Sequence, residues 1–105
     1  MPYFTKKPVR IEAHQIVDEK SAKDIMDWMF SVDERSNPHP SFSAIDLGAN
    51  GTVSVFTGII INTLEGPLLG RVGWWVIKGV KDEFYACEPE IFELTYDAER
   101  VSVKR

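Results

Sequence analysis

Arg71-Val72-Gly73-Trp74-Trp75-Val76-Ile77-Lys78-Gly79-Val80-Lys81-Asp82-Glu83-Phe84-Tyr85-Ala86-Cys87-Glu88-Pro89-Glu90-Ile91-Phe92-Glu93-Leu94-Thr95-Tyr96 is the stretch that decides the fold of this chain. Trp74 to Lys78 and Glu83 to Cys87 are rich in aromatic and β-branched residues, and Gly79-Val80-Lys81-Asp82 between them has turn chemistry, so the two runs read as a hairpin. Pro89 suits the first position of a single helical turn through Phe92, because its missing N–H has no intrahelical partner to lose there. Leu94 to Asp97 then reads as a returning strand. The block holds two of the three tryptophans and two of the three tyrosines. Neighbours on a strand point to opposite faces, so Trp74-Trp75-Val76-Ile77 is apolar on both sides.

Working toward the N-terminus, Val9, Ile11 and Ala13 alternate with Arg10, Glu12 and His14, the period of a strand wet on one face, with Pro8 at its first residue. Ser21-Ala22-Lys23-Asp24 reads as a helix start, Ser21 capping and Asp24 favoured in the positive first turn. Ala22, Ile25, Met26, Met29 and Phe30 follow as its apolar stripe. Asp33 to Ser41 is polar with two prolines and reads as a surface loop. Ser43 to Leu47 and Thr52 to Phe56 are strands joined through Gly48-Ala49-Asn50-Gly51, where Asn-Gly favours a tight hairpin. Thr57-Gly58 reads as a reversal into Ile59-Ile60-Ile61-Asn62-Thr63, and Leu64-Glu65-Gly66-Pro67 as a turn into a short strand at Leu68-Leu69. Val101 to Arg105 takes no assignment.

One helix covers one face of a sheet, yet Ile59-Ile60-Ile61 and Trp74 to Ile77 are apolar on both. The expectation is a single α+β domain over residues 1–105. Its antiparallel sheet is strongly bent and partly barrel-like, one main helix packs on it, and a homodimer covers the remaining apolar surface.

The composition narrows the function classes. With 105 residues, 44% hydrophobic and 27% charged, the chain has the make-up of one globular domain rather than a disordered segment. Twelve basic residues against sixteen acidic ones give a charge of −4, which argues against nucleic-acid binding through a concentrated basic surface. A lone Cys87 excludes an intramolecular disulfide. Met1 to Lys7 lacks the apolar centre of a signal peptide, and no apolar run approaches the roughly 20 residues of a membrane helix, so the expected location is the cytoplasm.

The chain offers few residues for chemistry. Cys87 with His14 would be the simplest thiol–imidazole pair, but no helix N-terminus precedes Cys87 to lower its pKa. One Cys and two His give no metal-ligand spacing, so neither metal nor cofactor is expected. Among Glu12, Glu65, Glu83, Glu88, Glu90 and Glu93 no spacing selects an acid–base pair. That leaves an aromatic surface: Trp74 and Trp75, with Lys78, Glu83 and Tyr85 beside them, of the residue types that anchor interfaces. Glu65 joins the candidate binding residues because it sits in a turn next to Gly66-Pro67. The reading is binding rather than catalysis.

At Thr63-Leu64-Glu65-Gly66, Gly73-x-Trp75-x-Ile77-Lys78-Gly79-Val80-Lys81, Glu83-Phe84-Tyr85-x-Cys87 and Ile91-Phe92-Glu93-x-Thr95-Tyr96 the chain resembles the PGDYG-type family of small phage proteins. Lys6-Lys7-Pro8-Val9 with Glu12, Ala13 and Gln15 resembles that family's N-terminal strand. The Pro-Gly-Asp segment of the family is here Val72-Gly73-Trp74, so no role carried by its carboxylate transfers. The resemblance implies a phage-encoded accessory protein of unassigned activity in the host cytoplasm, binding a host protein or a small molecule through the aromatic strand surface. Two alternatives stand beside it: a protein that sequesters or modifies a nucleotide-like small molecule in a pocket between sheet and helix, and a minor virion or assembly component.

Overall fold

The computed structural model describes residues 2–5, 7–63 and 65–97. In chain order its elements are β1 (Glu12–Gln15), α1 (Glu19–Val32), β2 (His39–Asp46), β3 (Thr52–Thr63), β4 (Gly66–Arg71), β5 (Trp75–Lys78), β6 (Phe84–Cys87) and α2 (Pro89–Thr95). Short 3₁₀ turns at Glu34–Ser36 and Gly48–Asn50 complete the connections.

The expected single bent, barrel-like sheet does not form. There are two open antiparallel sheets, ordered β1-β5-β6 and β2-β3-β4, and neither curls closed. The α+β class holds, and the two-sided apolar strands are accommodated by layering instead of closure. Ala13 pairs with Ile77 and Ile77 with Tyr85, so the pleat sends these residues, with Trp75, to one face. Val76, Phe84 and Ala86 take the other face, where they meet Ile16, Ile59, Ile61 and the helix residues Ala22, Ile25 and Met29 in one core. Replacing a fully buried isoleucine of that core, such as Ile59, by alanine would cost roughly 2–5 kcal/mol.

Helix α1 starts before Ser21. Asp18 is the cap: its carboxylate accepts from the Ser21 amide at 2.8 Å, and the Ser21 hydroxyl accepts from the Asp18 amide at 2.9 Å. Ser21 is therefore the third helical residue of a capping box, with serine in the place usually taken by Glu or Gln. The Ser21 amide and hydroxyl hold the Asp18 carboxyl below its ordinary pKa. At about 100° per residue, the buried Ala22, Ile25 and Met29 centre a stripe that leaves Phe30 more than half exposed and brings Trp28 to its margin. Trp28 meets Phe84 edge-on at 5.3 Å and His14 at 4.3 Å.

The C-terminal end of the described chain also differs from the sequence reading. Leu94 to Asp97 is not a strand; α2 runs two turns to Thr95, and the Tyr96 amide still donates to the Phe92 carbonyl. The loop expected up to Ser41 ends early, because β2 begins at His39. The N-terminal strand is shorter than its alternation suggests, extending only over Glu12–Gln15. Val101 to Arg105 lies outside the described residues.

Thr57-Gly58 is not a reversal. β3 runs straight through it, and the pairing slips by one residue between Ser41 and Phe42, leaving Thr57 as the extra residue of a β-bulge. Beyond the bulge β4 ends, so Thr52–Phe56 pairs with β2 alone and the hairpin continues as a two-stranded arm. Gly58 has φ +153°, and a Cβ there would enter the Gly70 carbonyl oxygen and lie 2.9 Å from the Arg71 Cα. Gly48, at the arm's tip with φ +66°, has open space around it. Gly58→Ala should therefore destabilise the fold by roughly 3 kcal/mol, combining strain with a backbone clash, whereas Gly48→Ala should cost about 1 kcal/mol for strain alone. Urea unfolding of the two variants checks the ranking, and equal midpoints would contradict it.

Candidate functional site

The face of β1-β5-β6 that turns away from α1 carries the site. Pro89 opens α2 at a position where its missing N–H costs nothing, and the four-residue step from Phe92 to Tyr96 puts both rings over that face. Phe92 stacks on Trp75 with ring centroids 4.2 Å apart and planes 4° from parallel, and Tyr96 follows at 5.0 Å from Phe92. Such ring pairs add about 0.5–1.5 kcal/mol to simple burial. The extended segment before β1 forms the facing wall, and two adjoining hollows lie between it and α2. One, of about 600 Å³, lies against Trp75, Phe92 and Val9 with Glu93 on its rim. The other, of about 560 Å³, lies against Tyr85, Val80 and Ile11 with Glu83 and Lys7 on its rim. Tyr96 and Asp97 border both.

The residues proposed from the sequence separate into two groups. Trp75, Tyr85 and Glu83 line this groove. Lys78 has Glu12 and Phe84 as its strand partners, which puts it on the α1 side of the sheet. Trp74 lies in the connection before β5, held by backbone bonds: its amide donates to the Arg71 carbonyl, and its carbonyl accepts from Ile16. Glu65 is exposed at the β3–β4 turn, its amide donating to the Thr63 hydroxyl at 3.2 Å, and it borders neither hollow. Phe92, Tyr96 and the wall from Lys7 to Ile11 are not among the binding residues expected from the sequence. The available signal was Pro89 followed by two aromatic residues four apart.

Two neighbours shape the electrostatics. The Glu83 carboxylate folds back over its own turn, accepting from the Lys81 amide at 2.9 Å and filling the space beside Gly79 where a side chain would otherwise sit. Tyr85 is pushed up to about 12 by burial first, then by its hydrogen bond with Tyr96 and by the charge of Glu83. The Cys87–His14 pair is excluded by the pleat: Cys87 aligns with Trp75 and Gln15 on the groove face, while His14 aligns with Val76 and Ala86 on the other. Burial and the charge of Glu88 push the Cys87 thiol up, away from the thiolate. Among the described residues no cluster of three His, Cys, Asp or Glu side chains could hold a metal ion. No described helix is long and apolar enough to cross a membrane.

The Tyr85 shift has a definite sign. The folded state favours the neutral phenol, so its contribution to stability is complete below the ordinary value of 10.0 and is lost as pH rises toward about 12. Alkaline titration followed by phenolate absorbance should show the late Tyr85 phenol in the native protein. Tyr85→Phe should remove it, and Tyr96→Phe should move it back toward 10.0. A late phenol that persists in Tyr85→Phe would refute the assignment.

Scans of family models, curated proteins and solved structures find no match to this chain.

Proposed function

We propose that this chain works by binding, and that its groove seats an aromatic, positively charged segment of a host protein. The observation that carries this reading is the Trp75–Phe92 stack, which opens on a hollow of about 600 Å³ instead of being sealed into the core. Flat rings exposed in a concave apolar site accept another flat group by stacking, and a nearby carboxylate favours a cation beside it. On this groove Glu83, Glu93 and Asp97 outnumber Lys7 and Arg10. A groove open along its length suits an extended segment better than a closed cavity would. The resemblance to small phage proteins supports an accessory role in the host cytoplasm.

A second reading, a bound small molecule, is favoured by one observation: each hollow falls within the roughly 300–1,000 Å³ typical of small-molecule sites. Native mass spectrometry of protein purified from host cells reads it directly, through a retained ligand mass.

The peptide reading is tested with two blocked tripeptides, Lys-Trp-Lys and Glu-Trp-Glu, titrated into isotope-labelled protein and followed by NMR. The basic peptide should shift the Trp75 indole N–H saturably and the acidic one should not. Trp75→Ala should weaken the basic peptide at least about tenfold, or about 1.4 kcal/mol, while Lys78→Ala on the far face should leave it unchanged. No saturable shift, or equal shifts from both peptides, would overturn the reading.

A further inference from the structure

The chain itself carries the chemistry that its groove takes. The tail before the groove's wall reads Tyr3-Phe4-Thr5-Lys6-Lys7, two aromatic rings followed by two cations. Tyr3 is 96% and Phe4 91% exposed, so neither ring is covered by its own body. Single apolar residues on a surface are ordinary, but two adjacent rings this bare are interface chemistry. The groove offers the complement, with the stacked rings of Trp75 and Phe92 inside and Glu83, Glu93 and Asp97 on its borders. The tail's own groove is the wrong target. Lys7 and Pro8 already belong to its wall, and the residue before a proline is held out of the helical region. That leaves Thr5-Lys6 to reverse the chain, and a β-branched threonine is ill suited to the positive φ angles of a two-residue turn.

We propose that tails are exchanged: two copies meet groove to groove about a two-fold axis, and each lays Tyr3 and Phe4 into the other's cleft. From Lys7 to Phe4 an extended chain spans about 10 Å, enough to cross into a groove set against its own. Neighbours on an extended segment point to opposite sides, and a cleft walled by α2 on one side and residues 7–11 on the other covers both rings. Lys6 and Lys7 of both tails then lie between two acidic rims, which offsets the repulsion between chains of charge −4. Each covered ring removes about 150–250 Å² from water. The rings of two tails, with a similar area of groove beneath them, come to roughly 1,200–2,000 Å² in total, the size of a specific interface. The exchange rests on the reading of the groove as a seat for rings and cations, and it adds that a second copy competes with any outside segment for that seat.

Sedimentation velocity from about 10 μM to about 1 mM is the first test. The wild-type mass should rise from 11.9 kDa toward twice that value. A variant with both Tyr3→Ala and Phe4→Ala should stay at 11.9 kDa with an unchanged circular dichroism spectrum. Mixing reads the exchange itself. The isotope-labelled double variant keeps its groove, and unlabelled Trp75→Ala protein keeps its tail, so adding the second should shift the Trp75 indole N–H of the first saturably. Unlabelled protein with all three substitutions should not. A monomeric wild type, a double variant that dimerises equally, or no shift on mixing each overturns the exchange. The peptide Lys-Trp-Lys separates this from the groove reading. At high protein concentration it should bind the double variant at least about threefold more tightly than wild type, because its competitor is gone. Equal binding to both overturns the exchange and leaves the groove reading standing. Binding to neither overturns the groove reading for outside segments, while sedimentation and mixing still decide the exchange.

Discussion

The two sheets of this protein meet at a contact so close that even a methyl group would fit tightly. Gly70 on β4 lies against Ala86 on β6 and Ile16 after β1; a Cβ at Gly70 would sit 3.1 Å from the Ala86 Cβ and 3.4 Å from the Ile16 Cδ1. Because β4 comes this close, Gly70's strand partner Ile59, and Ile61 beyond it, reach the same core as Val76 and Phe84. Ile16 is fixed on the same seam from its backbone side. Its amide donates to the Trp74 carbonyl at 2.9 Å and its carbonyl accepts from Gly73 at 2.6 Å, while the Gln15 side chain donates to the Gly73 carbonyl. Close packing of this kind transmits position. β5 is set against β1 by these bonds, and the setting of β5 fixes where Trp75 faces.

Much of this could be read from the chain, for local reasons. The β5–β6 hairpin was legible because its turn residues and its β-branched and aromatic runs agree, and the tip of the arm because glycines bracket it. What escaped the reading depended on partners distant in sequence. Gly58 signals a turn when read alone, yet it lies beside the β2–β3 bulge and against the backbone of Gly70 and Arg71 on β4. Leu94, Thr95 and Tyr96 favour a strand by composition, and tertiary contact overrides that preference, since helical spacing lets Phe92 and Tyr96 both meet the face of Trp75. Phe30 and Trp28 exchanged roles because the centre of the α1 stripe is set by what it packs on. The bent sheet was inferred from strands apolar on both sides, and that inference left out α2 and the N-terminal segment as covering layers.

The candidate site shows the same division. Adjacent tryptophans had to part company, and the sequence could not say which would face the groove. The structure places Trp75 there and ties Trp74 into the β4–β5 connection. The groove's walls come from residues 7–11 and 92–97, opposite ends of the described chain, so no window of sequence contains the site. Its chemistry is correspondingly simple: rings for contact, carboxylates at the rim, and a phenol and a thiol both held in their neutral forms.

β3 is one strand by geometry but two by environment. From Gly58 to Thr63 it lies between β2 and β4 or against the core; from Thr52 to Val55 it is half of a ribbon open to water, with Phe56 still touching the core. Cooperative opening follows burial rather than strand boundaries. Amides before the bulge therefore belong to a locally opening unit and exchange with solvent on their own schedule, while those at Ile59 and Ile61 are released only when the whole domain unfolds. The arm can open locally while the two sheets stay packed, and Gly58 marks where one regime gives way to the other.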